Sequence, residues 1–179
     1  MNTKLQTQIN TLETARKKLL STLKQYPDEI LNKKPAQDKW SVVQVAKHLM
    51  ESESVSLQYL QKKTLDTSRS KSAGVSGEWK MLVVHLSFIA PIKFKAPKML
   101  DPDVSAMSLH EIEAQWDKIR KDTFELIGKL SDAELKKELW KHAIAGKMNI
   151  YQMLAFINIH VNRHVQQIER TLREVAKNK

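Results

Sequence analysis

The chain has 179 residues, 41% of them hydrophobic, which is enough for one domain with a sizeable core and shows no break that would divide it. It contains no cysteine, so disulfide frameworks, thiolate metal sites and cysteine nucleophiles are excluded, and any metal must be held by nitrogen and oxygen. The net charge of +10 comes from basic residues spread along the whole chain, the pattern of a solvated surface. Nucleic acid is therefore not expected as a partner. No stretch reaches the roughly 18 apolar residues of a membrane span, and the start MNTKLQTQINTLE lacks the apolar core of a secretory signal. No membrane association and a cytoplasmic location are the expectations.

Taken in order, a first helix is predicted from about Lys4 to Gln25, with Leu5, Ile9, Leu12, Leu19 and Leu23 at three- and four-residue steps and Pro27 ending it. The segment from Asp28 to Lys39 reads as a loop with a helical turn at Glu29 to Asn32. A strong start signal follows at Trp40-Ser41-Val42-Val43-Gln44-Val45. Ser41 and Gln44 form a capping box, and Trp40 can staple onto Val45. The second helix should run to about Thr64 and turn His48 inward beside Val45, Val55 and Tyr59.

Asp66 to Ser76 has almost nothing to bury and reads as a surface loop. A modest helix is predicted from about Gly77 to Ile89, stopped by Pro91, and Pro97 and Pro102 keep the chain irregular to Ser105. So long a connection suggests a crossover past an end of the bundle. The third helix carries Leu109, Ile112, Trp116, Ile119, Thr123, Leu126 and Leu130 as a bundle seam, opened by the capping box Ser108/Glu111 with Met107 and Ile112 as staple. Ser131 and Glu134 repeat the signal and open a short helix toward Trp140. After a turn at Ala145-Gly146, Asn149 and Gln152 cap the last helix, Asn149 to Arg173. No period-two alternation lasts long enough to matter, and there are only four glycines. The fold is read as all-α, a four-helix bundle with a long crossover between helices 2 and 3 and short extra helices.

The last helix organises the chemistry. Its apolar stripe of Ile150, Leu154, Ile157, Val161, Ile168 and Leu172 is interrupted by His160 and His164, which at i and i+4 can aim at one spot. A single histidine on an apolar stripe is ordinarily a core residue with a backbone partner. Three facing one core, His48, His160 and His164, instead suggest a metal site, because neutral imidazole is the commonest ligand and three histidines with open positions is a catalytic zinc arrangement. Glu51, one turn after His48, is the candidate carboxylate: ligand, partner of a ligand imidazole, or general base, against the alternative of a solvated glutamate. His160-Val161-Asn162-Arg163-His164 lacks the glutamate of a zincin helix, and no histidine follows a glutamate by three residues as in di-iron bundles. A mononuclear site is what remains. His85 and His110 read as surface or packing residues, His142 as a residue able to cover the mouth of the site, and Trp40, Trp79, Trp116 and Trp140 as core or staple residues first and pocket wall second.

The stretches WSVVQVAKHLMESE around His48, FKAPK from Phe94 to Lys98, and KHAIAGKMNIYQMLAFINIHVNRHVQQIER near the end resemble the DinB-like superfamily of metalloenzymes, in that family's order and over most of the chain. The last stretch, with Gln166 and Gln167 after the histidine pair, is its most specific part. The resemblance implies a four-helix bundle whose second and third helices are joined by a crossover, and a divalent metal held at positions matching His48, His160 and His164. Zn²⁺ or Ni²⁺ is the ion expected there. The resemblance also implies a small-molecule substrate, since characterised relatives include transferases and isomerases using low-molecular-weight thiols such as bacillithiol or mycothiol, and it makes a homodimer an expectation. The functional expectation is a metal-dependent enzyme, either a thiol-dependent S-transferase or a hydrolase acting on a small electrophile. In the thiol version Arg163 would steer an anionic cosubstrate. The rival is a non-catalytic bundle that binds a metal, a small ligand or a protein partner.

Overall fold

The computed structural model describes residues 2–68, 70–72, 79–82, 84, 107–142 and 144–177. Its long elements are α1 (Thr3–Leu23), α3 (Val42–Thr64), α4 (Leu109–Gly128) and α6 (Ile150–Lys177), with the short helices α2 (Asp28–Asn32) and α5 (Asp132–Leu135) between them. In cross-section α1 packs on α6, α6 on α3, α3 on α4 and α4 back on α1, which closes a four-helix bundle. The helix starts follow from local chemistry. Ser41/Gln44, Ser108/Glu111 and Ser131/Glu134 all form reciprocal capping boxes, and Asn149 and Gln152 exchange two 2.9 Å side-chain-to-backbone bonds ahead of α6. No helix among the described residues is long and apolar enough to cross a membrane.

Between α5 and α6 the expected run of short helix toward Trp140 gives way to a hairpin. Strands β1 (Trp140–His142) and β2 (Gly146–Met148) pair antiparallel, with Trp140 opposite Met148 and His142 opposite Gly146. Trp140 and His142 face inward and Lys141 outward. Three residues are too few for alternation to register as a period, so the sequence pattern hid this element. Gly146 closes the turn at φ +74°, a left-handed conformation that favours glycine.

The connection from α3 to α4 covers residues 65–108. Its start is stitched to the α5–β1 segment: Thr67 Oγ1 donates to Glu134 Oε1 at 2.8 Å, Lys137 Nζ to the Thr67 carbonyl at 2.9 Å, and Glu138 N to the Lys71 carbonyl at 2.9 Å. Residues 79–82 and 84 are helical, as expected, and Lys80 Nζ reaches Glu138 Oε1 at 2.8 Å and the Lys147 carbonyl at 2.6 Å. Trp79, expected in the core, is instead 64% exposed. The rest of the predicted helix to Ile89, His85, the FKAPK stretch and the proposed crossover path lie outside the described residues.

One further departure concerns α4. Its fully buried line runs Leu109, Ile112, Trp116, Arg120, Thr123 and Ile127, while Ile119, Leu126 and Leu130 of the expected seam are partly buried and pack against the core beside it. A guanidinium is tolerated in the core because its partner is there too. Arg120 forms a two-pronged pair with Glu53 of α3, Nη2 to Oε1 at 2.6 Å and Nε to Oε2, and its Nη1 reaches Glu13 of α1 at 3.2 Å. Glu13 also holds Arg16 at 3.0 Å, and Arg16 holds Asp117 at 2.6 Å, so one ionic chain joins α1, α3 and α4.

Candidate metal centre

The site forms where α3 crosses α6. The capping box at Ser41 sets the phase of α3 so that His48 is buried at 6% exposure, with the Trp40 ring 5.1 Å away. On α6 the expected stripe of Ile150, Leu154, Ile157, Val161, Ile168 and Leu172 is buried in full, and it carries His160 and His164 to the same spot with partial exposure to solvent. Ring centroids are 5.3 Å apart for His48 and His160, 5.0 Å for His48 and His164, and 4.6 Å for His160 and His164. One ligand nitrogen from each of the three lies within 4.8 Å of the others.

Two observations bear on whether these residues fit a metal. His160 Nε2 and His164 Nε2 are 3.1 Å apart. Two nitrogens at about 2.0–2.1 Å from a shared tetrahedral zinc would stand roughly 3.4 Å apart, so a few tenths of an ångström separate the observed pair from a chelating one. The protonation state also suits a ligand. His164 Nδ1 lies 2.8 Å from Gln167 Oε1; an amide oxygen only accepts, so Nδ1 carries the hydrogen and Nε2 presents its lone pair to the spot.

The electrostatics keep the pair neutral. Burial holds His160 well below the usual imidazole range, helped by His164, His48, His142 and Arg163. Burial likewise pushes His164 down to about 4, with His48 and Arg163 adding to the shift and the Gln167 hydrogen bond opposing it. Neutral imidazoles carry no charge to offset a dication, so a bound ion would keep its full positive charge and its open positions. The donor set fits one divalent ion of the nitrogen-preferring kind, a class that includes several first-row metals.

The other predicted residues fall at varying distances from the spot. Glu51 is not part of the three-nitrogen cluster; its carboxylate meets Lys47 Nζ at 3.5 Å on the flank of α3. Arg163 is exposed beside the pair and acts on it through charge. His110 is exposed, as expected of a surface residue, and Trp116 is fully buried in the core. His142 is buried in the hairpin, where burial lowers its pKa, and its ring meets the Phe156 ring 4.5 Å away. Phe156 in turn stacks on His160 at 5.4 Å and 14°.

Phe156 and the role of Gln167 went unread in the sequence. The signal for both was helical spacing: four residues before His160 and three after His164 place each on the face of the ligand it touches.

The model of the DinB superfamily matches residues 11–168. The chain belongs to the DinB superfamily. Within it, the uncharacterized protein YuaE of Bacillus subtilis (strain 168) is 25% identical over 163 residues, covering 91% of this chain and 96% of YuaE. Among solved structures, YfiT from Bacillus subtilis, described as a probable metal-dependent hydrolase with an unusual four-helix bundle topology, superposes with a TM-score of 0.65 at 17% identity. That superposition covers 97% of this chain and 89% of YfiT, which establishes a shared fold over nearly the whole chain.

Proposed function

We propose that this DinB superfamily member is a metal-dependent hydrolase of a small electrophile, with one divalent ion held by His48, His160 and His164. The observation that carries the reading is the convergence of three imidazole nitrogens within 4.8 Å at a partly exposed spot, with no carboxylate in the cluster among the described residues. The description of YfiT as a probable metal-dependent hydrolase supports it by analogy of fold. An ion in such a site polarises an electrophile and lowers the pKa of a coordinated water.

The chain's own residues would divide the remaining work. The three histidines bind, and Gln167 orients His164. Arg163 supplies positive potential that draws an anionic substrate group toward the pair. Glu51, one turn from His48 and already at a solvent-facing edge, is the proposed proton acceptor; its pairing with Lys47 leaves one carboxylate oxygen for that task.

The test begins with metal content by elemental analysis of untagged protein purified without chelator, beside His160→Ala. About one divalent ion per chain, lost in the variant, is expected. An electrophile panel then separates chemistries: turnover without added thiol fits the hydrolase, turnover that requires thiol would replace it with an S-transferase, and bound metal with no turnover of any kind would favour a non-catalytic metal-binding bundle.

A further inference from the structure

His164 has its ring held by a hydrogen bond to Gln167, while His160 meets His164 through the two Nε2 atoms at 3.1 Å and adds a ring contact. Side chains on a helix lean toward its N-terminus, so His160 lies over the turn that carries Phe156. The two rings are nearly coplanar in orientation, 14° apart, with centroids at 5.4 Å. The second side-chain torsion of histidine is broad and soft. A phenyl ring stacked on the imidazole favours the observed orientation over others.

Phe156 is itself clamped. The Trp140 ring stands 5.2 Å away at 34° and the His142 ring 4.5 Å away at 65°, both on the inward face of the hairpin. His142 is locked in turn by the hairpin's own backbone: the amides of Ile144 and Ala145 donate to its Nδ1 at 3.2 and 3.1 Å. A continuous line of contacts therefore runs from the hairpin turn through His142 and Phe156 to His160.

We propose that Phe156, braced by the Trp140–Met148 hairpin, is a positioning residue that favours the metal-binding orientation of His160, beside the hydrogen bonding of that imidazole. The inference rests on the metal reading above and adds a function for the hairpin: it tunes the affinity and the ligand geometry of a site to which it contributes no ligand. Contacts around a ligand histidine commonly change metal affinity by about 10–100-fold.

The experiment uses Co²⁺ as the probe on the full chain, measuring its dissociation constant and its visible d–d absorption, which reports ligand geometry. Phe156→Leu keeps the apolar bulk and removes the flat face; it should weaken Co²⁺ binding about tenfold or more and alter the absorption bands. Phe156→Tyr, which keeps the ring, should match the parent protein. Ile157→Val trims a buried neighbour and should leave affinity and spectrum unchanged, separating positioning from general loss of stability. His142→Leu removes the acceptor of the turn amides and should weaken binding in the same direction by a smaller factor, a second reading should Phe156→Leu fold poorly. Phe156→Leu or a folded His142→Leu that binds Co²⁺ within twofold of the parent and with the same bands would overturn the inference while leaving the metal site standing. Failure of the parent protein itself to bind Co²⁺ would overturn the metal reading and this inference together.

Discussion

Lowering the pH from 7.5 to 5 probes the centre most directly, because only neutral imidazole binds a metal. A histidine at its ordinary value near 6.5 is about 90% neutral at pH 7.5 and about 3% neutral at pH 5, a roughly 30-fold loss of ligand; an unperturbed pair would lose about 1000-fold. In this chain the pair is perturbed. His164 is pushed down to about 4 and His160 is held well below the usual range, both chiefly by burial. At pH 5 a group of pKa about 4 is still roughly 90% neutral. Affinity should therefore be full above the folded-state values and fall steeply only as the pH drops toward 4. The measurement is a calorimetric titration with Ni²⁺ or Zn²⁺ in a non-coordinating buffer at pH 7.5, 6 and 5. The expected weakening across that range is well under 1000-fold, and a loss of 1000-fold or more would refute the argument that the site stays neutral by desolvation.

The same shift makes the metal-free protein acid-sensitive: with the His164 value depressed when folded, its contribution to stability is complete above pH 6.5 and lost as pH falls through about 4, up to roughly 3 kcal/mol, visible as a drop in Tm of the apoprotein over that window. Gln167→Leu removes the acceptor at His164 Nδ1 and should weaken metal binding about 10–100-fold while changing the apoprotein Tm little, as calorimetry beside thermal denaturation would show. Arg120→Ala leaves the buried Glu53 facing no guanidinium and should cost about 3–5 kcal/mol, a fall in Tm of roughly 6–20 °C; Glu53→Leu with Arg120→Met should recover most of it, and equal losses in the single and double variants would argue against a buried pair. Gly146→Ala, free of clashes but held at φ +74°, should cost about 1–2 kcal/mol in a denaturant midpoint. Glu51→Gln should lower turnover while leaving metal stoichiometry unchanged; unchanged turnover would remove Glu51 from the mechanism.

Much of this molecule can be read from local rules. The capping boxes at Ser41, Ser108 and Ser131 lie within four residues of chain each, so the chemistry that starts a helix is complete in the sequence, and all three form. The α6 stripe was legible for the same reason: helical period alone places Ile150 through Leu172 on one face, with His160 and His164 among them. That His48 would join them followed from its inward sector on α3, and the family resemblance pointed to the same three histidines.

Tertiary structure decided what depends on partners distant in sequence. Arg120 occupies a core position because Glu53 and Glu13, on two other helices, meet it there; helical period set the seam at Ile119 and carries no information about a counter-charge 67 residues away. The hairpin escaped because three-residue strands are too short for a period, and its inward pair gains meaning only when α6 brings Phe156 against it. Sequence by itself determined where helices start, which faces are apolar and which residues can bind a metal, since these depend on neighbours along the chain. The meeting of three imidazole nitrogens, their neutrality and the brace behind His160 were decided only by packing, since burial and ring contact are properties of surfaces that touch after the chain has folded.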